Sequence, residues 1–299
     1  MTTLFDLPAH ASDDWLNAEY NNRALVPEHG AIFERWAQAS VQARAAAPGA
    51  LIDVRYGNGE LETLDVFPAR QGRHGAPAPV LFFIHGGYWR SLDKSDHAFI
   101  APAFTARGAC VVSINYALCP AVTIPQIVMQ TVRALAWTWR HIGAHGGDPS
   151  RITVAGHSAG GHLATQLLAC EWPRVAPDLP ADLIRNALSI SGLYDLEPVR
   201  RTPFVQPSLN ITPAHVAQAS PARLPAPPVR EGRGTLAAVA GALESSEFRR
   251  HNRLIQQAWG RDVVPVCEEL PGLNHFTVVD ALAQPGHRLH TIARRLLGV

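Results

Sequence analysis

The run Gly156-His157-Ser158-Ala159-Gly160 sets a serine hydroxyl between two glycines, with an apolar stretch before it and an Ala/Leu-rich stretch after it. A nucleophile held on a strand-turn-helix junction needs that context, because the turn is sharp and the hydroxyl must project beyond the end of a sheet. Small residues at 156 and 160 let the backbone pass close to its neighbours, and a helix N-terminus beside Ser158 favours developing negative charge. The bare five-residue pattern arises often by chance, so the flanking strand and helix carry the reading. The alternative is a structural serine in a tight turn.

A serine hydroxyl is a weak nucleophile at neutral pH and needs a base within hydrogen-bond reach, itself oriented by a third group. The chain has 14 histidines. In sheets that carry such a turn, the acid and then the histidine follow the nucleophile along the chain. That order leaves His162, His215, His251, His275, His287 and His290. Five of them read as surface or core histidines: His162 follows directly on the helix, His215 sits in an irregular stretch, His251 is inside a helical pattern, and His287 and His290 belong to the last helix. His275 alone lies in a turn after a late strand, in Pro271-Gly272-Leu273-Asn274-His275-Phe276, where a loop residue can lean over the strand ends.

The acid is expected just beyond the apolar run 236–240. Glu247 suits the first turn of the next helix, where a carboxylate is welcome for capping alone. Glu244 is therefore assigned as the acid that fixes the imidazole tautomer, with Asp195 as the runner-up.

After the apolar run 80–84 comes His85-Gly86-Gly87-Tyr88-Trp89, in the place of a glycine loop that supplies amides to an oxyanion. The N–H groups of Gly87, Tyr88 and Ala159 are the expected donors. His85 precedes the glycines and is read as tying the loop down. The bland alternative is a glycine turn that ends a strand.

These groups need a scaffold that brings strand ends together. From residue 80 the sequence alternates short apolar runs with longer helical stretches, the pattern of a parallel sheet covered by helices on both faces. The expected strands are 80–84, 110–116, 152–155, 187–191 and 236–240, mostly continuous in apolar residues as strands buried on both faces are. A more mixed run, 264–270, is an edge. Crossover helices are expected over 124–142, 159–170, 247–259 and 285–297. The stretches 51–56 and 62–67 alternate polar with apolar and suit an antiparallel pair.

Two segments stand apart. Residues 13–46 read as two helices broken near Pro27, with Trp15, Tyr20, Phe33 and Trp36 supplying apolar surface. Residues 197–234 hold eight prolines and little periodicity, which points to a lid, a binding loop or disorder. The expected organisation is one domain over 1–299, with residues 1–50 contributing a helical part of the cap and 197–234 forming a Pro-rich lid.

A hydrophobic content of 47% with 17% charged residues belongs to a globular chain with a large core. The net charge of +1, with no dense basic run, excludes nucleic acid or an anionic membrane as the partner, so a small molecule is expected. Homodimerisation is left open. The first 15 residues carry three aspartates and no apolar core, so no secretion signal is expected, and no stretch approaches the length of a membrane span. Cys110, Cys119, Cys170 and Cys267 are scattered without a C-x-x-C pair, which favours reduced core cysteines, a cytoplasmic setting and no metal.

Several separated motifs together resemble the kynurenine formamidase (arylformamidase) branch of the α/β-hydrolases, near the hormone-sensitive-lipase-like esterases. They are His85-Gly86-Gly87-Tyr88-Trp89, Gly156-His157-Ser158-Ala159-Gly160-Gly161-His162, Ser191-Gly192-Leu193-Tyr194-Asp195-Leu196-Glu197-Pro198, Ser220-Pro221, Glu244-Ser245-Ser246-Glu247-Phe248-Arg249-Arg250 and Gly272-Leu273-Asn274-His275-Phe276. The resemblance runs from about residue 51 to the end. It implies the α/β-hydrolase fold, a mostly parallel central sheet flanked by helices with a small lid, and catalytic Ser158, Glu244 and His275 with neither metal nor cofactor. Two positions depart from the family: Glu244 stands where Asp is common, and Ala117 replaces a polar residue in Asn115-Tyr116-Ala117-Leu118-Cys119-Pro120.

The reaction expected is cleavage of an aryl formamide, N-formylkynurenine-like, or of a short-acyl aryl ester through an acyl enzyme. Trp89, Tyr194, Phe204 and Phe276, with Tyr88, motivate an aromatic leaving group. The rivals are a general short-chain carboxylesterase on the same machinery and a non-catalytic binding protein of the same fold.

Overall fold

The computed structural model describes residues 4–70, 76–229 and 234–299. Its centre is an eight-stranded sheet in the order β1-β2-β4-β3-β5-β6-β7-β8. The strands are β1 (Leu51–Arg55), β2 (Thr63–Phe67), β3 (Ala78–Ile84), β4 (Cys110–Ile114), β5 (Gly147–His157), β6 (Ile184–Ile190), β7 (Thr235–Gly241) and β8 (Val266–Leu270). β1 pairs antiparallel with β2, and β2 antiparallel with β4; every other pairing is parallel. The mixed edge expected from the alternating stretches 51–56 and 62–67 is present, and β8 closes the opposite edge.

The continuous apolar runs have a physical counterpart in two cores. Along β3, Val80, Phe82 and Ile84 enter one cluster while Leu81 and Phe83 enter the other, so both faces of the strand are dry. The N-terminal segment forms helices α1 (Asp13–Tyr20), α2 (Asn22–Leu25) and α3 (His29–Ala45). The chain breaks at Asn21 as well as near Pro27, because the Asn21 side chain accepts from the Ala24 amide and starts a new turn.

After the short α4 (Ala101–Thr105) come the crossover helices α5 (Ile124–His141) and α6 (Ala159–Leu168), then α7 (Trp172–Val175). In α5, Thr123 and Gln126 form a reciprocal capping box and Pro125 occupies the first turn, so its N-terminus is satisfied locally. Later in the chain lie α11 (Ser246–Val263), α12 (Thr277–Leu282) and α13 (Arg288–Leu297). Helix α13 starts three residues later than its periodicity suggests because His287 is its N-cap, accepting from the Leu289 amide.

The segment read as an irregular lid is more ordered than its prolines imply. It contains α8 (Glu197–Arg201), α9 (Gln206–Leu209), α10 (Pro213–Ala219) and a 3₁₀ turn over Pro221–Arg223, each with a proline in its first turn. There the missing N–H removes no helical bond and the fixed φ suits the helix, so the prolines start these elements instead of breaking them. Val199, Val205, Leu209 and Val216 are buried beneath. Residues 230–233, the end of the expected lid, lie outside the described residues. No helix among the described residues is long and apolar enough to cross a membrane.

Candidate active site

Strand β5 delivers Ser158 at its C-terminal end with φ 56° and ψ −117°, a conformation that costs a serine on the order of 1–3 kcal/mol. The glycines explain how the turn is accommodated. A Cβ on Gly156 would lie 2.1 Å from the Gly160 carbonyl oxygen, and one on Gly160 would lie 2.0 Å from that of Ile84. The Ser158 amide donates to the Ile190 carbonyl at 2.8 Å, tying the turn to the neighbouring strand β6.

His275 follows β8 in a turn that Asn274 holds: its side chain accepts from the Phe276 and Thr277 amides at 3.0 and 2.9 Å. The His275 Nδ1 donates to Glu244 Oε2 at 2.7 Å. Glu244 is nearly fully buried, and its other oxygen accepts from the Gly241 amide at 2.6 Å and from Ser191 Oγ at 2.5 Å. The carboxylate is thus anchored on both oxygens. With Nδ1 engaged, Nε2 is the nitrogen left to accept a proton. Asp195, the runner-up acid, is paired instead with Arg223 at 2.9 Å and caps the Glu197 amide.

The loop after β3 meets the elbow edge-on. A Cβ on Gly86 would fall 2.9 Å from the His157 carbonyl, and Gly87 has φ +100° with Ser91 O 2.1 Å from any Cβ. The amides of Gly87, Tyr88 and Ala159 donate to no other described residue. His85 does hold this loop: its ring stacks on Tyr116 at 4.4 Å, and the Tyr116 hydroxyl donates to the His85 carbonyl at 2.9 Å. The Tyr88 hydroxyl donates to the Tyr20 carbonyl at 2.6 Å, anchoring the loop to α1.

Ser158, His275, Gly87 and Tyr88 line one cavity of about 190 Å³. Phe204 and Phe276 line it as expected, joined by Phe33 and Trp36 from α3. Trp89 and Tyr194 do not line it. Trp89 is fully buried edge-on to His162 at 5.0 Å, and Tyr194 is fully buried with its hydroxyl donating to Ser189 at 2.8 Å. Proximity in sequence to the site motifs misled here, since φ 53° at Trp89 turns its ring into the core.

A profile of the α/β-hydrolase fold matches residues 81–224, from β3 through the nucleophile and the short helices that follow. The chain has the α/β-hydrolase fold. It is 29% identical over 255 residues to a kynurenine formamidase of Danio rerio, covering 83% of this chain and 82% of that one. It is also 31% identical to the esterase LipC of Mycobacterium tuberculosis, covering 80% of this chain and 63% of the relative. Among solved structures, a putative thioesterase from Silicibacter superposes with a TM-score of 0.78 at 28% identity, over 93% of this chain and 98% of that one. An esterase of Pyrobaculum calidifontis, 17% identical with a TM-score of 0.66, covers 93% of this chain and 97% of its own and shares the fold. The resemblance to the formamidase branch read from the motifs is borne out, as is the fold, and the hydrolase belongs to the serine type.

Several residues of the hydrolase's site escaped the reading of its motifs. Ser191, which follows β6 with φ 53° and holds Glu244, lies inside the motif 191–198 without any mark of this role. His157 donates from Nε2 to the His275 carbonyl at 2.8 Å, linking the elbow to the histidine loop. Asn22, Arg23 and Arg90 also reach the cavity. Nothing in the local spacing marks Asn22 and Arg23, because α2 is brought to the site by tertiary packing alone, whereas Arg90 directly follows the His85–Trp89 motif.

The hydrolase buries several neutral imidazoles. Burial pushes His85 and His162 down to about 4, with His97 adding to the effect at His85. His162 donates to the Ala219 carbonyl at 2.6 Å, so it also holds α10. In the unfolded chain an imidazole titrates near ~6.5, so below that pH the unfolded state takes up protons that the folded state refuses. Stability is therefore expected to fall as pH drops from about 6.5 to about 4, by on the order of 3 kcal/mol per histidine. Urea unfolding midpoints measured across that range check this, and a flat profile there would contradict it.

Proposed function

We propose that the hydrolase cleaves an aryl formamide, or a short-acyl aryl ester, through an acyl enzyme on Ser158. The observation that carries this is the Glu244–His275 pair at 2.7 Å, opening on the same cavity as the strained Ser158 elbow. In this reading His275 Nε2 takes the Oγ proton as the oxygen bonds to the formyl carbon. The carbonyl oxygen becomes an oxyanion that accepts from the Gly87, Tyr88 and Ala159 amides. Collapse breaks the C–N or C–O bond, and His275 passes the proton to the leaving amine or phenol. Water then attacks the acyl carbon by the same route, releasing formate or the short acid and restoring Ser158.

Support for an aryl leaving group comes from the rings of Phe33, Trp36, Phe204 and Phe276 on the cavity wall and from the likeness to a kynurenine formamidase. The 31% identity to an esterase favours one second reading, a general short-chain carboxylesterase. Turnover of N-formylkynurenine beside that of p-nitrophenyl acetate on the purified protein separates the two. Comparable or faster formamide cleavage is expected; rapid ester cleavage with negligible formamide cleavage would establish the second reading instead. We further propose a cytoplasmic setting, which is supported by four cysteines that are all free thiols.

A further inference from the structure

Three consecutive residues of the loop after β3 stand in the left-handed region: Gly87 at φ 100°, Tyr88 at φ 50° and Trp89 at φ 53°. Glycine takes up that conformation freely, whereas an aromatic residue persists in it only where its surroundings over-determine it. Much of the turn is tied down locally. The Gly87 carbonyl accepts from the Arg90 amide and from Ser91 Oγ, both at 3.0 Å, and the Trp89 carbonyl accepts from the Cys119 amide at 2.8 Å. Tyr88 itself is held, among the described residues, through its side chain: the hydroxyl donates to the Tyr20 carbonyl at 2.6 Å, across 68 positions of sequence.

The seat of that bond is fixed in turn. Tyr20 ends α1 and is fully buried. Its hydroxyl donates to Glu247 Oε2 at 2.7 Å and lies 3.0 Å from His251 Nε2. His251 Nδ1 accepts from the Tyr194 amide at 3.0 Å, which leaves the ring proton on Nε2, facing the Tyr20 oxygen. The Tyr20 ring is 6.0 Å from that of Phe248, which packs 4.5 Å from the His275 ring. Glu247 stands three residues beyond Glu244. One residue of α1 therefore meets the oxyanion loop with its carbonyl and the segment that carries the acid with its hydroxyl. Burial pushes both tyrosine hydroxyls above their ordinary range, so both stay protonated and able to donate.

We infer that the Tyr88 hydroxyl is a positioning group for the oxyanion site and that Tyr20 is its seat, which makes α1 part of the catalytic apparatus although it lies outside residues 81–224. An amide stabilises a developing oxyanion only when it is aimed beforehand at the place where the charge appears. Without the hydroxyl bond the strained backbone at residue 88 relaxes, and its amide turns away from that place. The inference rests on the hydrolytic reading above, which gives the Tyr88 amide its part. Because Tyr20 is also pinned to Glu247, the oxyanion donors and the acid are set by one buried side chain.

Tyr88→Phe tests this, since it removes one oxygen and leaves the ring edge-on to Phe204 at 6.0 Å. The probe is phenylboronic acid, whose boron bonds to Ser158 Oγ as the Oγ proton passes to His275; one oxygen of the tetrahedral boronate then occupies the oxyanion position. In the full chain, Tyr88→Phe should lower kcat for p-nitrophenyl acetate by about 10- to 100-fold, less than deleting a donor outright. The boronate inhibition constant should rise by a similar factor while KM stays within about twofold, because the lost interaction is made with the tetrahedral oxygen. Tyr20→Phe keeps the carbonyl seat but frees it from Glu247, so both quantities should move the same way by a smaller factor. A Tyr88→Phe protein within about twofold of the unaltered one in kcat and boronate affinity, whatever its melting temperature, would reduce the hydroxyl to a packing contact and overturn the inference. A loss carried by KM alone would do the same. If the unaltered protein neither cleaves the ester nor binds the boronate, the hydrolytic reading fails and takes this inference with it. If it does both, the comparison with Tyr88→Phe decides the positioning role alone.

Discussion

Ser158→Ala is expected to lower kcat for any substrate of the hydrolase by a factor on the order of 10⁴–10⁶ while the protein stays folded. The Oγ is the atom that would bond to the acyl carbon, so its removal leaves His275 with no nucleophile to activate and no acyl enzyme to form. What remains is binding and the oxyanion amides, which sustain a residual acceleration over water on the order of 10³–10⁴. Alanine at φ 56° carries about the same backbone strain as serine. The amide bond from residue 158 to the Ile190 carbonyl also survives the change. A thermal melt should therefore hardly move while turnover collapses, and an organophosphate should no longer label the protein. Unchanged hydrolysis by the variant would refute the assignment of the nucleophile.

Glu244→Gln is expected to cost on the order of 10⁴ in kcat, because it forces the wrong histidine tautomer. One Glu244 oxygen receives the Gly241 amide and Ser191 Oγ, and the other receives His275 Nδ1. If the glutamine oxygen stays on the Gly241 amide, its NH₂ faces Nδ1. Nδ1 must then accept, the ring proton moves to Nε2, and the base can no longer take the serine proton. The flipped amide instead sets NH₂ against the Gly241 N–H, two donors in a buried site, at a penalty of about 1–3 kcal/mol. Glu244→Asp should retain part of the activity, since it keeps the charge but gives up one of the two anchors. Asp195→Asn should mainly weaken the hold of Arg223, lowering the melting temperature more than kcat. Kinetics and melts on the three variants read this directly; if Asp195→Asn abolished turnover while Glu244→Gln stayed within tenfold of the unaltered protein, the acid would be reassigned.

The central strands β3, β4, β6 and β7 were legible because they bury both faces, which demands unbroken apolar runs, and the register confirms that neighbours end together: Ile84 lies opposite Gly156, and Gly156 opposite Ser189. Helices α8 to α10 were not legible, because a proline has the same sequence signature whether it breaks a helix or begins one. Their beginnings depend on caps such as Thr212, which accepts from the His215 amide. Trp89 and Tyr194 were misjudged for a related reason. Chain position next to a motif says nothing about which way a left-handed residue or a buried hydroxyl directs its ring.

The sequence by itself determined the strand-turn-helix around Ser158, the double glycine before Tyr88, and the strand-end turns that present Glu244 and His275. All of these are local patterns whose sterics admit few conformations: at Gly160 only the absence of a Cβ lets the Ile84 carbonyl approach. Tertiary structure alone decided that the rings of Phe33 and Trp36 join the cavity wall and that Asn22, Arg23 and Arg90 converge on it from segments more than 60 residues apart. The N-terminal segment is held there where α1 docks on α11, with the Tyr20 hydroxyl donating to Glu247 at 2.7 Å and the Glu247 amide donating to Glu19 at 2.9 Å. Such long-range pairings leave no periodic trace in the chain, since each depends on how two separately folded surfaces fit.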